Sequence, residues 1–265
     1  MKPTGTRADL TLKTARQKMN INYENSWPDD VLEFLADNFD LFLQYELHLK
    51  NERNNYHYAD HSRSKNQLRE ILNNHKIIGF HCTRLLQAEI DCIRLYGLTL
   101  QNNQNMFKRI RMLKIMGEFN SAEIESLAGI SYYNKFRSPK LHFCFSQLKN
   151  EGEQGIGNFF KYWGGEALRD KLAMDMTIIE KLKNVGIPCI IEASLPINNL
   201  YFLRSLEETV AKTYIINCHF ETNEIIDLEG WQTEEVAAEE IVNIHEFPEP
   251  SFLKLTECNT WDEKL

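Results

Sequence analysis

The sequence predicts an α+β fold in which a helical amino-terminal lobe packs on a mixed, mostly antiparallel sheet. Three features lead to this prediction. Apolar residues recur at helical spacing early in the chain, short apolar runs typical of buried strands begin near residue 76, and helices and strands then mix. We therefore expect an amino-terminal arm and helical lobe over residues 1–75 and a second domain over residues 76–265.

The amino-terminal lobe is predicted to be an arm followed by helices. Residues 1–26 are polar with little periodicity, which favours a flexible or loosely docked arm. Pro28, Asp29 and Asp30 indicate a helix start, because proline suits the first turn and acids stabilise the positive end of a helix. Apolar spacing continues this helix to about Leu49. A loop or frayed helix over 51–64 and a short helix over 67–74 complete the lobe.

The second domain is predicted to open with a buried strand at residues 76–83. A helix over 85–96 follows, and Gly97 is suited to end it. We then expect a short strand at 98–100 and helices over 105–119 and 122–128. The first of these two helices carries a basic face of four residues: Lys108, Arg109, Arg111 and Lys114.

The rest of the chain is predicted to alternate strands and helices. The clearest strand is 188–195, and a helix over 166–183 precedes it. The other predicted elements are strands at 141–146, 214–220, 224–228 and 240–245, and a short helix at 199–213.

Charge and hydrophobicity exclude several classes of protein. The 265 residues carry 30 Lys and Arg against 38 Asp and Glu, a net charge of −8. This balance argues against broad, sequence-independent binding to nucleic acid, although a local basic pocket stays open. No apolar run approaches the ~18 residues of a membrane span, and the amino terminus lacks the apolar segment of a secretory signal. We expect a cytoplasmic protein.

The cysteines are predicted to be buried, reduced thiols rather than metal ligands. None of the six forms a C-x-x-C pair, and four lie in apolar runs: Cys82, Cys144, Cys189 and Cys218. We expect no metal. The sequence also lacks the Walker, G-x-G-x-x-G, G-x-S-x-G and H-E-x-x-H motifs, which leaves three segments of chemical interest.

The first segment is the end of the strand at 76–83, with His81, Thr83 and Arg84. A histidine can bond a ribose hydroxyl, and an arginine can hold a phosphate with a fork of donors. The alternative is a half-buried histidine and an arginine in a structural pair.

The second segment is the aromatic stretch that ends at Tyr162 and Trp163, before Gly164 and Gly165. Such a sequence lets a flat ring stack while the backbone approaches closely, and Glu166 then falls in the first turn of a helix. The alternative is a core of aromatics, a glycine turn and a favourable charge at a helix start.

The third segment is the strand that carries Glu192 between Ile191 and Ala193. A carboxylate in an apolar strand is either paired or placed at the edge of a cleft. Both interpretations stay open.

The run Phe80-His81-Cys82-Thr83-Arg84, followed by a helix and Ile93-Arg94-Leu95-Tyr96-Gly97-Leu98, resembles the opening of ADP-ribosyltransferase-superfamily domains. Those domains begin with a strand carrying an H-x-T motif, then a helix and a G-L step. The form here is most similar to DarT-like and poly(ADP-ribose)-polymerase-like members. The resemblance covers roughly residues 76–255 and implies a split mixed sheet.

The resemblance implies that NAD is the substrate and that nicotinamide is released. His81 would bond the ribose, Thr83 would support the nicotinamide pocket, and Arg84 would lie near the phosphates. The stacking aromatic would be Tyr162 or Trp163.

The catalytic glutamate implied by the resemblance maps to Glu166, acting with His81. This mapping departs from the family pattern, in which the glutamate stands at the start of a late strand. Glu192 is therefore the reserve candidate.

The sequence leaves the acceptor and several alternatives open. The acceptor could be a protein, a nucleic acid, a small molecule or water, and water would make the protein an NAD glycohydrolase. Transfer of a 2′-phosphate from RNA to NAD uses the same fold, but the acidic charge and the lack of an Arg-rich site disfavour it. The main competing hypothesis is that the chain is a non-catalytic binding protein on a degenerate version of this fold. A second is that the chain has an unrelated α+β fold. By family analogy, the setting would be that of a toxin or effector.

Overall fold

The fold is that of a computed structural model, which describes residues 17–50, 57–129, 139–148, 150, 155–165, 168, 176–222 and 227–261. Within them, helices cover both faces of one open sheet. The predicted α+β class with a mostly antiparallel sheet is confirmed.

The sheet has the strand order β5-β6-β3-β2-β4-β7, with β1 beside β2. Only the β1–β2 pair is parallel among the described strands. The strands are β1 (Lys18–Met19), β2 (Lys76–Leu85), β3 (Leu141–Cys144), β4 (Ile187–Pro196), β5 (Tyr201–Phe202), β6 (Glu229–Gln232) and β7 (Ile241–Glu246).

Among the described residues, three α-helices lie between β1 and β2, six lie in the later connections between strands, and one follows β7. Their bounds are α1 (Asp29–Asp37), α2 (Phe39–Leu49), α3 (Tyr58–Leu72), α4 (Gln87–Tyr96), α5 (Asn103–Met116), α6 (Ser121–Gly129), α7 (Gly157–Lys161), α8 (Met176–Asn184), α9 (Leu206–Asn217) and α10 (Pro250–Thr256). No described helix combines the length and hydrophobicity needed to cross a bilayer.

The longest pairing of the sheet fixes which side chains share a face. Strand β2 pairs with β4 over its whole length, with Phe80 opposite Glu192 and His81 opposite Ile191. Directly opposed residues of antiparallel strands project to the same face, and neighbours along a strand project to opposite faces. Phe80 and Glu192 therefore share one face, and His81 and Ile191 share the other.

Each face of the sheet has its own hydrophobic core. On the His81 face, Ile77, Phe143 and Ile191 join residues of α1, α3 and α9 in the largest cluster. On the Glu192 face, Phe80 and Ile190 pack with residues of α7 and α10. A third cluster joins α5, α6 and α8 to Trp163. The helices of the amino-terminal lobe thus share the main core with the sheet, whereas the domain boundary at residue 76 stays a prediction.

Several sequence predictions need correction. The predicted strand at 214–220 is wrong, because residues 214–217 continue α9, where Val210, Ala211 and Ile215 keep the helical spacing of buried residues. The predicted strand at 98–100 is reduced to a bridge between Leu98 and Val236.

The amino-terminal predictions also change. Residues 58–64, predicted to be a loop or a frayed continuation of the first helix, instead begin the separate helix α3, and 51–56 lie outside the described residues. From residue 17 onward the predicted arm is docked, because β1 pairs with β2 and buries Met19 and Ile21.

Two further predictions are answered only in part. Of the four cysteines expected to be buried, only Cys189 is; Cys82, Cys144 and Cys218 are half-buried, and all six thiols are free. Half of the helix predicted at 166–183, nine of its eighteen residues, lies outside the described residues, and α8 covers its carboxy-terminal part.

Candidate functional site

The site predicted around His81 lies where two parts of the sheet separate. Among the described residues, β2 pairs with β3 at a single position, Phe80 with Cys144. From Cys82 to Leu85, β2 pairs with β4 alone. The edge of β2 next to His81 is therefore free of a strand partner in the described part of the chain.

His81 stands at this separation with one ring nitrogen occupied. Its Nδ1 lies 2.9 Å from the backbone carbonyl oxygen of His142, on β3. A carbonyl oxygen only accepts hydrogen bonds, so Nδ1 must carry the proton. The ring also packs near Phe143, with 5.9 Å between the ring centroids.

The other nitrogen of His81, Nε2, is available to a ligand. It has no hydrogen-bonding partner among the described residues and is not one of their fully buried polar atoms. Burial lowers the pKa of His81 and outweighs the hydrogen bond to the His142 backbone, which raises it, while the charges of His142 and Arg109 make smaller lowering contributions. A neutral ring with its proton on Nδ1 presents a lone pair at Nε2, which accepts a hydrogen bond from a hydroxyl.

Thr83 follows His81 on the same face of the strand. It is half-buried and lies opposite Cys189 of β4. Thr83 thus lies on the His81 face of β2, beyond the position at which β2 pairs with β3.

Arg84 is held by backbone groups rather than turned to an open space. Its Nε donates to the carbonyl of Val185 at 2.7 Å, and its Nη1 donates to that of Phe160 at 2.9 Å. The residue is buried, and burial lowers its pKa. These contacts tie the aromatic segment to the end of β2, which is a structural role.

Of the two predicted stacking aromatics, Trp163 is completely buried. Its side chain is 0% exposed, and its Nε1 donates to Glu89 Oε2 at 2.9 Å. Tyr162 is half-buried, with Lys183 Nζ 5.8 Å from the centre of its ring. Tyr162 is therefore the more accessible of the two rings.

The two predicted carboxylates are placed differently. Glu166, the first choice, lies outside the described residues. Glu192, the reserve, projects from the face opposite to His81, and its Oε2 lies 3.1 Å from Nε2 of the buried His245. This geometry does not bring Glu192 and His81 together.

A polar cluster that the sequence analysis did not identify lies next to the aromatic segment. Arg109, one residue of the basic face seen in the sequence, binds the carboxylate of Glu89 and lies over the ring of Trp163. Glu89 is buried in the first turn of α4 and accepts the backbone N–H of Leu86 at 2.8 Å. Glu89 could have been found from the sequence, because it is the third residue of a helix that follows a buried strand. A glutamate at that position typically caps the start of the helix.

The acidic segment that follows β6 passes close to the end of the sheet where His81 lies. Strand β6 pairs with β3 beside the His81 separation, and the chain then runs to Val236, which bridges Leu98 after α4. Within this segment, Glu234 is held by Asn199, while the exposed side chain of Glu235 has no hydrogen bond or ion pair among the described residues. Glu235 is thus a carboxylate that the sequence analysis overlooked.

Comparisons with protein-family models, curated proteins and solved structures find no match to this chain. Among the described residues, no group of three or more His, Cys, Asp or Glu side chains is arranged to hold a metal ion. The functional argument therefore depends on the geometry around His81.

Proposed function

We propose that the protein is an NAD-dependent ADP-ribosyltransferase that transfers ADP-ribose to an acceptor and releases nicotinamide. One observation carries the proposal: a neutral His81, fixed through Nδ1, offers Nε2 as an acceptor at the free edge of β2. The H-x-T-R run and the G-L step of the sequence agree with this interpretation. The pairing of β2 with β3 at one position, Phe80 with Cys144, also agrees with the split sheet that the resemblance implies.

In the proposed reaction, a ribose hydroxyl of NAD donates to Nε2 of His81. The bond between ribose C1′ and the nicotinamide nitrogen breaks, and its electron pair leaves with nicotinamide as a neutral molecule. Positive charge develops on the ribose, where a nearby carboxylate stabilises it. A nucleophile then bonds to C1′ and loses its proton to solvent.

Two carboxylates are candidates for stabilising the ribose. Glu166 follows the aromatic segment in sequence, and Glu235 lies on the segment that crosses from β6 to Leu98. Replacing the responsible residue by glutamine removes the charge while keeping the size. We expect this change to abolish nicotinamide release in one of the two variants.

The test is nicotinamide release from NAD by the purified full-length protein, with a melting curve in the same buffer. A ligand at about 100 times its dissociation constant adds about 2.7 kcal/mol of stability. We expect NAD to raise the melting temperature and His81→Ala to abolish release. His48→Ala, on the exposed side of α2, is the matched control and should behave as wild type.

The outcomes separate the acceptors as well. Release without any added acceptor indicates water as the nucleophile and hence an NAD glycohydrolase. Release that requires a protein, a nucleic acid or a small molecule identifies a transferase. Wild-type turnover in a folded His81→Ala variant would contradict the proposal.

A non-catalytic binding protein is the second candidate function. The observation that favours it is that Arg84 and Trp163, two residues matched to NAD contacts, are engaged in structural contacts. On this hypothesis, NAD raises the melting temperature without release of nicotinamide, or has no effect on either.

A further inference from the structure

Two cysteines lie on adjacent strands at the point where β2 and β3 separate. The pairing of Phe80 with Cys144 places Cys144 beside β2, and Cys82 follows Phe80 by two residues. Residues two apart on a strand share a face, so Cys82 and Cys144 are diagonal neighbours on the Glu192 face of the sheet. Both side chains pack against the same hydrophobic cluster, which contains Phe80 and Ile190.

The two thiols are also in contact with each other. A hydrogen bond between the Cys82 and Cys144 side chains, together with burial, raises the pKa of Cys82 well above its usual value. A bond that raises the pKa of a thiol stabilises its protonated form, so Cys82 donates and the sulfur of Cys144 accepts. Cys144 is therefore the sulfur better placed to attack an oxidant, and both residues are only half-buried, which gives a small oxidant access.

The same two strands hold His81. It precedes Cys82 on β2, and its Nδ1 donates to the carbonyl oxygen of His142 on β3 at 2.9 Å. Beyond Phe80, β2 has no further ladder pairing with β3 in the described part of the chain, so the separation of the strands can change there. A covalent bond brings two sulfurs closer than a hydrogen bond does, so closing it draws β2 and β3 together beside His81.

We propose that Cys82 and Cys144 form a reversible disulfide in response to a peroxide, and that this bond displaces His81 relative to β3. The sulfur of Cys144 attacks one oxygen of hydrogen peroxide, the O–O bond breaks, and the departing hydroxide takes up the thiol proton, which leaves a sulfenic acid and water. The sulfur of Cys82 then attacks the sulfenic sulfur, and the hydroxyl leaves with the Cys82 proton as a second water. Two thiols are oxidised and one peroxide is reduced.

The test is peptide mapping by mass spectrometry of the full-length protein after treatment with hydrogen peroxide and rapid alkylation. Trypsin releases the two cysteines on separate peptides, 77–84 and 141–149. We expect these peptides to be linked through Cys82 and Cys144, and dithiothreitol to release them. Cys92, which is exposed on α4, is the internal control, because its oxidation shows that the peroxide was sufficient. Oxidised Cys92 without the link would overturn the proposal.

Two variants separate this pair from general oxidation. Cys144→Ser should leave Cys82 open to alkylation after the same peroxide treatment. Cys258→Ser is the matched control, because Cys258 packs against the same cluster, and this variant should form the link as the wild type does. A link from Cys82 to Cys258 in place of Cys144 would contradict the assigned pair. The mapping of the wild-type protein decides the case in which Cys144→Ser fails to fold.

The displacement of His81 has its own measurement. In the wild-type protein, oxidation should shift the NMR signals of the His81 imidazole, and dithiothreitol should restore them. The signals of His48, exposed on α2, should stay unchanged and serve as the reference. Unchanged His81 signals in protein that carries the link would show that the disulfide does not act on His81.

An effect on activity rests on the proposed function, whereas the link and the NMR shift do not. If the protein is the proposed transferase, oxidation should lower the rate of nicotinamide release at least fivefold and dithiothreitol should restore it. Equal release in the reduced and the linked protein would count against the action on His81. Absence of release in both states would count against the proposed function, and the link and the His81 signals would then decide this proposal.

Discussion

His81 and Glu192 lie on paired strands but project from opposite faces of the sheet. Glu192 is directly opposite Phe80, the neighbour of His81, so the pairing of β2 with β4 separates the two side chains by the thickness of the sheet. Glu192 binds His245 on its own face. A carboxylate that stabilises charge on a ribose held by His81 must therefore come from elsewhere.

This separation leads to the first prediction, which concerns Glu192→Gln. Nicotinamide release should be unchanged, because the residue cannot reach a ribose on the His81 face. The measurement is the initial rate of release at saturating NAD, with Glu166→Gln and Glu235→Gln assayed beside it. Loss of release in a folded Glu192→Gln variant would show that our assignment of the site to the His81 face is wrong.

The second prediction concerns the pH dependence of stability. Burial lowers the pKa of His81 in the folded protein, while the unfolded chain has the usual value of about 6.5. Below about pH 6.5 the unfolded chain binds a proton at His81 more readily than the folded protein does, so acidification favours unfolding. The contribution of neutral His81 to the free energy of unfolding is therefore complete above that pH and is lost as the pH falls toward the folded pKa.

Urea unfolding of wild type and His81→Asn between about pH 7.5 and about pH 5.5 measures this contribution. The wild type should lose more free energy of unfolding on acidification than the variant. His61, whose pKa is also lowered by burial, is present in both proteins and cancels in the comparison. Equal pH dependence in the two proteins would mean that His81 protonates without cost in the folded state.

The third prediction concerns Gly97, which ends α4. It has a φ of 83°, and a Cβ at this position would lie 1.9 Å from the carbonyl oxygen of Val236. Gly117 ends α5 with a φ of 79°, but a Cβ there would meet nothing within 4 Å. An alanine at Gly117 therefore measures backbone strain alone, whereas an alanine at Gly97 measures backbone strain together with steric overlap.

We expect Gly117→Ala to lower the free energy of unfolding by about 1 kcal/mol, the cost of the left-handed conformation. Gly97→Ala should cost about 3 kcal/mol, because overlap with Val236 adds to that strain. Urea unfolding of both variants gives the comparison. Equal losses would indicate that the segment from Gln232 to Val236 moves aside easily.

The fourth prediction concerns an ion pair between α3 and α9. The side chain of Glu207 is 3% exposed and accepts from Arg69 Nε and from Ser205 Oγ, the latter at 2.6 Å. Burial alone would raise the pKa of Glu207, but these bonds outweigh it and lower the pKa. Arg69→Ala therefore leaves a buried charge without its main partner.

The side chain of Arg69 is 56% exposed and Glu207 keeps its bond from Ser205, so the expected loss of stability for Arg69→Ala is about 1–2 kcal/mol. The matched control is Arg63→Ala on the same helix, whose pair with Asp60 is exposed on both sides at 3.4 Å. Such surface pairs contribute about 0.5 kcal/mol or less. Thermal unfolding of the two variants should show a clear difference, and similar melting temperatures would contradict it.

Local patterns in the sequence determined the principal elements of this protein. The apolar runs at 76–83 and 188–195 predicted β2 and β4 to within two residues at each end, and Pro28 predicted the start of α1. These features depend on neighbours in the chain, so periodicity and helix-start chemistry are sufficient to find them. The end of α9 was missed because β-branched residues near 215 favour a strand locally, while packing keeps them in a helix.

Only the tertiary structure decided how the chemically interesting side chains are grouped. The opposite faces of His81 and Glu192 follow from a strand register, and the bond between Trp163 and Glu89 spans 74 residues. Whether Arg109 points to solvent or to Glu89 likewise depends on how α4 and α5 pack. Such contacts join residues distant in the chain, and no local pattern of spacing contains their partners.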